Sequence, residues 1–402
     1  MRPIWRWKCP HGPGLRHRPR HRGPDSPGLS LGIAAYDEYP DIYEFIGGRV
    51  FHAYRPDNNY YLASGSHWQG SAYGPYRQFF LAYAQHILDR MTDGRCVLFR
   101  KGLHDAARTF LQYLRPDGQL LRVGDDFNED GTSYALGVVD LLAFLTGTYY
   151  QDPVLKSFAK KGMEGFSSFS LANTVVSPTM FLILNDPELP CAGLEDLPLT
   201  WYNGSPLGSV IARSAWNDPN AFQVYMKIGE SYSANHEHKD AGSFQIYYKG
   251  ILASDSGAYD SYFTPEDMAY NKQTISSNAL LIFNPEMQDN DGWVYSGGQT
   301  IQGDANTENL TAAEWLRKRT ARQARVLGHD CGAADAFRYA YLAGDLTNAY
   351  DPETVDQVTR SMLAVSTENP AAPWSLPFTT GSPPGTPGSK RPSSSTCSRN
   401  RP

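Results

Sequence analysis

The densest group of chemically reactive side chains in this sequence is Asn235-His236-Glu237-His238, which opens the run NHEHKDAGSF. Two histidines at positions i and i+2 of an extended segment point to the same side of the backbone. Asp255 follows in the run ASDSG, seventeen residues after His238. Imidazole and carboxylate groups on adjacent strands can hold zinc or a similar ion. The same pattern is compatible with a histidine that caps a turn and an Asp255 that closes its own turn.

A second group of candidate side chains is acidic, with Asp125 and Asp126 followed by Glu129 and Asp130. Such a cluster fits either the carboxylate pair of a glycoside hydrolase or a solvated acidic turn, and the turn is the commoner case. The nucleotide-binding patterns G-x-x-x-x-G-K-[ST] and G-x-G-x-x-G and the serine-hydrolase pattern G-x-S-x-G do not occur. Five cysteines without a C-x-x-C pair argue against a zinc ribbon or a disulfide scaffold.

The elements that must position these residues change their period along the chain. Three runs have apolar residues at helical spacing: GSAYGPYRQFFLAYAQHILDRM, LHDAARTFLQYL and SYALGVVDLLAFLTGTYY. From about residue 178 the runs AFQVYMKIG and SFQIYYKG alternate with period two. ALLIF reads as a short buried run, and FRYAYLAG and VTRSMLAV predict later strands. Helices followed by strands indicate a multidomain α+β protein rather than alternating βαβ units.

The two ends differ from the middle of the chain. Residues 1–35 are basic and lack the apolar stretch of a signal peptide, and they predict a disordered or non-native tail. Residues 366–402 are rich in proline and serine and predict a second disordered tail. Between them we expect a helical domain over 36–177 and a β domain over 178–365.

Charge and hydropathy exclude some partners. The net charge is −6, and because both ends are basic the body of the chain is more acidic still. An acidic body argues against a nucleic-acid partner. The sequence has no apolar run long enough for a transmembrane helix, so no membrane partner is expected.

Four runs closely resemble the heparinase II/III-like polysaccharide lyases: NHEHKDAGSFQIYYKGILASDSGAY, HWQGSAYGPYR, YLRPDGQLLRVGDD and IARSAWNDPNAFQVYMKIG. The resemblance extends over about residues 36–365. It implies an (α/α) toroid, incomplete here because the helical part is short, followed by an antiparallel β-sandwich. It also implies β-elimination on an acidic, uronic-acid-containing polysaccharide, without an organic cofactor, in the periplasm or outside the cell. The alternatives are an (α/α)-scaffold glycoside hydrolase and a degenerate, non-catalytic carbohydrate-binding homologue.

Besides a tyrosine, the resemblance implies a catalytic role for three other side chains. His236 matches the family's catalytic histidine, as the base or as a neutraliser of the uronate carboxylate. Asn235 beside it could donate a hydrogen bond to that carboxylate. His67, in the run SHWQG, matches a histidine of the toroid that lines the cleft.

Tyr113 is the best match for the family's catalytic tyrosine, and Tyr73 and Tyr76 compete with it. A tyrosine can act as a base only if cationic neighbours lower its pKa from about 10. Arg115 is close enough in sequence to supply that positive charge to Tyr113.

His238 and Asp255 match the family's metal ligands. The family's third ligand is a histidine, and Ser277 stands at its position in TISSN. A neutral serine is a poor zinc ligand. We therefore expect one structural zinc ion that is weakly held or absent. The side chains expected to contact the substrate are Arg115, Gln69, Tyr73, Arg77 and Arg213.

Overall fold

A computed structural model describes residues 26–99, 101–126, 128–165, 182–232, 236–259, 261, 264–283, 297–300, 323–367 and 374–381. The first part is helical. A π-helical turn joins its second and third helices at Val50–Tyr54. No helix in the described part is long and apolar enough to cross a membrane. The helices are α1 (Ser26–Ala34), α2 (Pro40–Arg49), α3 (Arg55–Leu62), α4 (Gly70–Met91), α5 (Lys101–Gln112), α6 (Asn128–Tyr150) and α7 (Pro153–Gly165).

Helix α4 forms where the helical spacing predicts it, but its aromatic stripe is not its buried face. Tyr73, Tyr76, Phe80 and Tyr83 are half-buried, and Met91 at the end of the stripe is 60 % exposed. The buried positions of α4 include small and polar residues such as Ala72, Gln78 and Gln85. These positions lie inside because α6 and α1 pack on that side, which the periodicity of α4 alone does not encode.

The core of the helical part forms around α6, which packs against α4, α5 and α7. Phe79 of α4, Phe110 of α5 and Leu142 of α6 are all buried in one apolar cluster. Ile211 and Tyr225 from the sheet region belong to the same cluster. The helices and the neighbouring sheet therefore share one core.

The first sheet follows the helices and is a simple antiparallel meander. Its strands run in chain order as β1 (Thr200–Asn203), β2 (Ser209–Arg213), β3 (Phe222–Lys227), β4 (Phe244–Tyr248) and β5 (Ile251–Ala253). Ile211 pairs with Tyr225 and faces the helices, while Val210 pairs with Met226 on the other face. Every residue of β2 and β3 is buried, and successive side chains alternate between the two faces of a strand. Both faces of these strands are therefore covered.

The second sheet lies against the face of the first sheet that points away from the helices. Its order is β10 (Phe378–Gly381), β8 (Thr359–Ser366), β7 (Tyr339–Asp345) and β6 (Arg325–Cys331), and β9 (Trp374–Ser375) also pairs with β8. Leu342 and Met362 of this sheet share an apolar cluster with Val224 and Met226 of β3. The predicted order of helices followed by antiparallel strands is therefore confirmed.

Three details differ from the sequence-based expectations. The run ALLIF forms no strand: Leu281 and Phe283 are exposed, and Phe283 makes an isolated bridge to Gly297. Strands β9 and β10 lie in the segment expected to be a disordered tail from residue 366, and Trp374 stacks on Phe222 of β3. Helix α1 begins at Ser26, before the expected domain start at 36.

Candidate functional site

Three loops meet at the point where the helices contact the first sheet. The first precedes α4 and carries Gln69, the second follows α5 and carries Asp125, and the third precedes β4 and carries His236. Backbone hydrogen bonds join them: Ser71 N–H donates to the Val123 carbonyl over 2.9 Å, and Asp125 N–H donates to the His236 carbonyl over 3.2 Å. Side chains from the helical part and from the sheet part therefore meet in one place.

Two glycines allow this close approach. Gly70 has φ +70°, and a Cβ there would lie 1.6 Å from the Val123 carbonyl oxygen. Gly124 has φ +68°, and a Cβ there would lie 2.8 Å from the His236 carbonyl oxygen. Both positions need a left-handed backbone conformation and have no room for a side chain.

His236 lies between a tyrosine and a carboxylate. Its ring stacks on the Tyr73 ring with centroids 3.6 Å apart and planes 9° from parallel. Its Nδ1 lies 2.5 Å from Oδ2 of Asp125. Burial lowers the pKa of His236, although the hydrogen bond to Asp125 opposes that shift. The imidazole is therefore neutral near pH 7.

Asp125 is fully buried and contacts both histidines of the motif. Its Oδ1 accepts a hydrogen bond from Nε2 of His238 over 2.9 Å, while its Oδ2 faces His236. Burial opposes ionisation of Asp125, but the hydrogen bonds from the two imidazoles outweigh it and hold the pKa of the carboxyl well below its usual value. Asp125 is therefore an ionised carboxylate, and a solvated acidic turn at this residue was the wrong expectation.

Tyr73 is half-buried and its phenol is protonated. Burial raises its pKa, opposed by a hydrogen bond with Tyr259 and by the positive charge of Arg77. Arg77 is half-buried on the next turn of α4, and its Nε donates to Oε1 of Gln69 over 3.2 Å. The site thus joins a neutral imidazole, a protonated phenol and a guanidinium.

His238 and Asp255 form a second pair behind His236. Nδ1 of His238 lies 3.9 Å from Oδ2 of Asp255. These atoms and the other oxygen of Asp255 are buried and make no hydrogen bond with a described residue. Burial and the nearby Asp240 raise the pKa of Asp255 to about 7. This donor pair has the chemistry of two metal ligands.

The described residues do not complete a structural zinc site around that pair. The Ser277 hydroxyl donates to the Thr274 carbonyl over 3.2 Å. No group of three histidine, cysteine, aspartate or glutamate side chains in the described ranges is arranged to hold a metal ion. A structural zinc ion takes four ligands, so the zinc ion stays a prediction.

The histidine motif and Asp255 lie in a stretch that matches a known family. Residues 207–331, which include His236, His238 and Asp255, match the family model described as "Heparinase II/III-like, C-terminal". The match lies in the sheet part of the chain. The predicted resemblance is therefore confirmed.

Solved structures similar to this chain include a heparan sulfate lyase and a heparinase III gene product. A heparan sulfate lyase, HepC from Pedobacter heparinus, is 14 % identical with a TM-score of 0.47, and the match covers 84 % of this chain and 42 % of HepC. A heparinase III gene product is 13 % identical with a TM-score of 0.44, and the match covers 83 % of this chain and 45 % of that protein. The chain thus spans less than half the length of these proteins. No curated protein sequence matches it.

Tyr113, the expected catalytic tyrosine, is buried. It is 1 % exposed, its ring packs edge-on to Phe110 and Tyr225, and its hydroxyl lies 3.1 Å from Oγ of Ser66. Burial raises its pKa. Tyr73, by contrast, stacks on His236.

Arg115 does not serve Tyr113, contrary to expectation. Its guanidinium binds Asp117 and Gln119 and closes the turn that follows α5. The positive charge that reaches Tyr113 comes from Lys227. The prediction that Arg115 lowers the pKa of Tyr113 is therefore wrong, because Asp117 in the same turn binds the guanidinium.

Two further predicted site residues, Arg213 and His67, are buried. Arg213 stacks on Trp216 with its Cζ 3.5 Å from the ring centroid and donates to the carbonyls of Gln112 and Leu114. Those contacts tie β2 to the end of α5. His67 is 2 % exposed, stacks on Trp68 and accepts a hydrogen bond at Nδ1 from the Gln69 N–H. Asn235 lies outside the described residues.

Sequence reasoning missed the roles of Asp125, Tyr259 and Lys272. Tyr259 lies edge-on to both Tyr73 and His236, with ring centroids 5.9 Å away in each case. The positive charge of Lys272 acts on both Asp125 and His236. The available signal for Asp125 was its place directly after a tight glycine turn, but its partners lie 111 and 113 residues away in the chain.

Proposed function

We propose that this protein is a polysaccharide lyase that cleaves a uronic-acid-containing glycan by β-elimination. The observation that supports it best is the pairing of His236, in the heparinase-like stretch, with Tyr73 from the helical part. The neutral imidazole of His236 can act as a base and the protonated phenol of Tyr73 as an acid, and the two rings are in contact. The arginine beside them has the charge that a uronate carboxylate requires.

The reaction needs a base, an acid and a stabiliser of negative charge. In this proposal His236 removes the proton on C5 of the uronate as its neutral imidazole. The electron pair of that C–H bond forms the C4–C5 double bond, and the C4–O4 bond breaks. Tyr73 gives its proton to the departing O4, in keeping with the raised pKa of its phenol. No water is consumed.

Arg77 is proposed to neutralise the uronate carboxylate as the enediolate develops. A guanidinium can bind a carboxylate through two parallel hydrogen bonds. Gln69 holds Arg77 in place through the bond between Oε1 and Nε. Charge that is fixed in advance lowers the barrier because it needs no reorganisation during the reaction.

The hydrolase alternative finds little support in the site. A glycoside hydrolase acid must be protonated when the substrate arrives. Asp125 is buried and ionised between two imidazoles. Asp126 makes an ion pair with Arg122, with Nε and Oδ2 3.4 Å apart.

The proposal extends to location and substrate class. Uronate polymers lie outside the cytoplasm, so we propose that the protein acts in the periplasm or outside the cell. The sulfation of the polymer and the choice between internal and terminal bonds stay open for the assay.

The test is the ultraviolet absorbance of unsaturated uronate during incubation with heparan sulfate, chondroitin and alginate. His236→Ala is expected to abolish the signal, and Tyr73→Phe to lower kcat by about 10²-fold or more. Tyr113→Phe is the matched control: it removes a buried hydroxyl and should keep activity. Full activity in Tyr73→Phe together with its loss in Tyr113→Phe would overturn the assignment of the acid. New reducing ends without absorbance would favour the hydrolase, and glycan binding without turnover the non-catalytic homologue.

A further inference from the structure

Tyr259 contacts both rings that the proposed reaction uses, but no step of that reaction uses Tyr259 itself. We propose that Tyr259 is a positioning residue: its ring holds the stacked rings of Tyr73 and His236 from the side, and its hydroxyl donates a hydrogen bond to the phenolic oxygen of Tyr73. This inference rests on the proposed function for its effect on catalysis. The contact between the two phenols does not depend on that function.

The first step of the argument is the placement of the Tyr259 ring. Tyr73 and His236 stack with their planes 9° apart, so a third ring can stand perpendicular to both. Tyr259 does so: its centroid lies 5.9 Å from each of the two, and its plane is turned 87° from Tyr73 and 86° from His236. Edge-to-face contact at this distance is a favoured geometry for aromatic rings. Tyr259 therefore limits the sideways movement of both stacked rings.

The second step is the way in which Tyr259 itself is held. Its backbone N–H donates to the Asp126 carbonyl over 2.9 Å, which joins it to the loop after α5. The carbonyl of Ala258, one residue earlier, accepts a hydrogen bond from Nδ2 of Asn271 over 2.8 Å. Asn271 is 1 % exposed and ends a π-helical turn at Asp267–Asn271. Both polar groups of the peptide unit before Tyr259 are therefore bound, which fixes the direction of its side chain.

The third step decides which of the two phenols donates. Burial raises the pKa of both phenols, and the negative charges of Asp125 and Asp267 raise both pKa values further. The positive charge of Arg77 opposes this rise in the pKa of Tyr73. Tyr259 therefore holds its proton more firmly and donates the hydrogen bond, while the oxygen of Tyr73 accepts it. The proton of Tyr73 stays available to the substrate.

The fourth step connects this hydrogen bond with the reaction. When Tyr73 gives its proton to the departing O4, its oxygen becomes a phenolate. A hydrogen bond donated by Tyr259 is stronger to that anion than to the neutral phenol, so it favours the transfer. Loss of a hydrogen bond to a charged group should lower kcat by about 10- to 100-fold. KM should stay unchanged, because the bond strengthens only as the proton leaves.

The first test is kinetic and uses Tyr259→Phe, which keeps the ring and removes only the hydroxyl. We expect kcat on the cleaved uronate polymer to fall by that factor with KM unchanged. Tyr270→Phe is the matched control: it removes a hydroxyl that lies 2.8 Å from Oγ of Ser256, three residues before Tyr259, and it should keep kcat. An equal fall in both variants overturns the proposal, because loosening of that segment would then explain it.

The second test follows the phenol of Tyr73 without any substrate. Protein with ¹³Cζ-labelled tyrosine is titrated by NMR, and the loss of a signal in Tyr73→Phe assigns Tyr73. In the unsubstituted protein Tyr73 should ionise at lower pH than Tyr259, whose signal is assigned through its contact with the Tyr73 ring. In Tyr259→Phe the pKa of Tyr73 should rise, because the donor to its oxygen is lost. The opposite order of ionisation overturns the proposal, and that comparison needs no variant of Tyr259 that folds.

The outcomes separate the two proposals. An unchanged Tyr73 pKa and an unchanged kcat in Tyr259→Phe overturn the positioning role, even when the protein is a lyase. A raised Tyr73 pKa in Tyr259→Phe, in a protein that cleaves no uronate polymer, supports the positioning role of Tyr259 and refutes the proposed function.

Discussion

A buried carboxylate in the helical part predicts an unusual dependence of stability on pH. Asp140 lies on α6 and is 5 % exposed. It faces α7, where a Cβ on Gly162 would lie 2.1 Å from the carboxyl group. Burial raises its pKa from 3.8 to about 7. The folded protein therefore favours the neutral acid, whereas the unfolded chain ionises at its ordinary pKa.

The sign of the effect follows from proton binding. Between the two pKa values the folded state holds a proton that the unfolded state has lost, so stability falls as pH rises. The shift of the Asp140 pKa from 3.8 to about 7 lowers the free energy of unfolding by up to about 4 kcal/mol. This loss is complete once the pH exceeds about 7. Of this, about 3 kcal/mol is lost between about pH 5 and about pH 8.

Urea denaturation at those two pH values tests the reasoning. Asp140→Asn carries no titrating proton, so it should be more stable than the unsubstituted protein at the higher pH. It should also lose about 3 kcal/mol less between the two values, with an unchanged m-value. Asp93→Asn, at an exposed carboxylate, is the control and should follow the unsubstituted protein. Equal pH dependence in Asp140→Asn and in the unsubstituted protein would refute the argument.

Three further changes probe other parts of the molecule. Lys227→Met leaves Asp240 buried without its partner at 2.6 Å and should cost about 3–5 kcal/mol in urea denaturation, and an unchanged midpoint would contradict this. Asp152→Ala removes the carboxylate that accepts N–H groups at the start of α7 and binds Arg108, so we expect a loss of about 1–2 kcal/mol in thermal denaturation. Ser277→His supplies a third donor at the predicted zinc site and should increase the zinc retained after dialysis; equal metal content in both proteins would argue against a site there.

Much of the secondary structure follows from local periodicity. The run AFQVYMKIG contains β3 and FRYAYLAG contains most of β7, because alternation with period two suits a strand with two different faces. LHDAARTFLQYL contains most of α5 for the corresponding reason at helical period. The motif that contains His236 and His238 was also evident, since both histidines lie within one short segment before β4.

The choice between similar residues did not follow from periodicity. Tyr73 and Tyr113 are both aromatic residues in or beside a helix, and only packing distinguishes them. Tyr113 faces Tyr225 of the first sheet and is enclosed, while Tyr73 lies at the meeting of three loops beside His236. A sequence pattern gives the direction of a side chain on its own element, but what covers that side chain comes from another element.

The sequence by itself determined the order of helices and strands, the reactive histidine segment and the resemblance of residues 207–331 to the heparinase II/III-like C-terminal model. Only the tertiary structure decided that Asp125 joins those histidines, that Tyr73 stacks on His236 and that Arg115 is bound within its own turn. The physical reason is the separation along the chain between the groups that interact. Periodicity and motif spacing are properties of neighbours along the chain, whereas burial, protonation and hydrogen bonding depend on groups that only folding brings together.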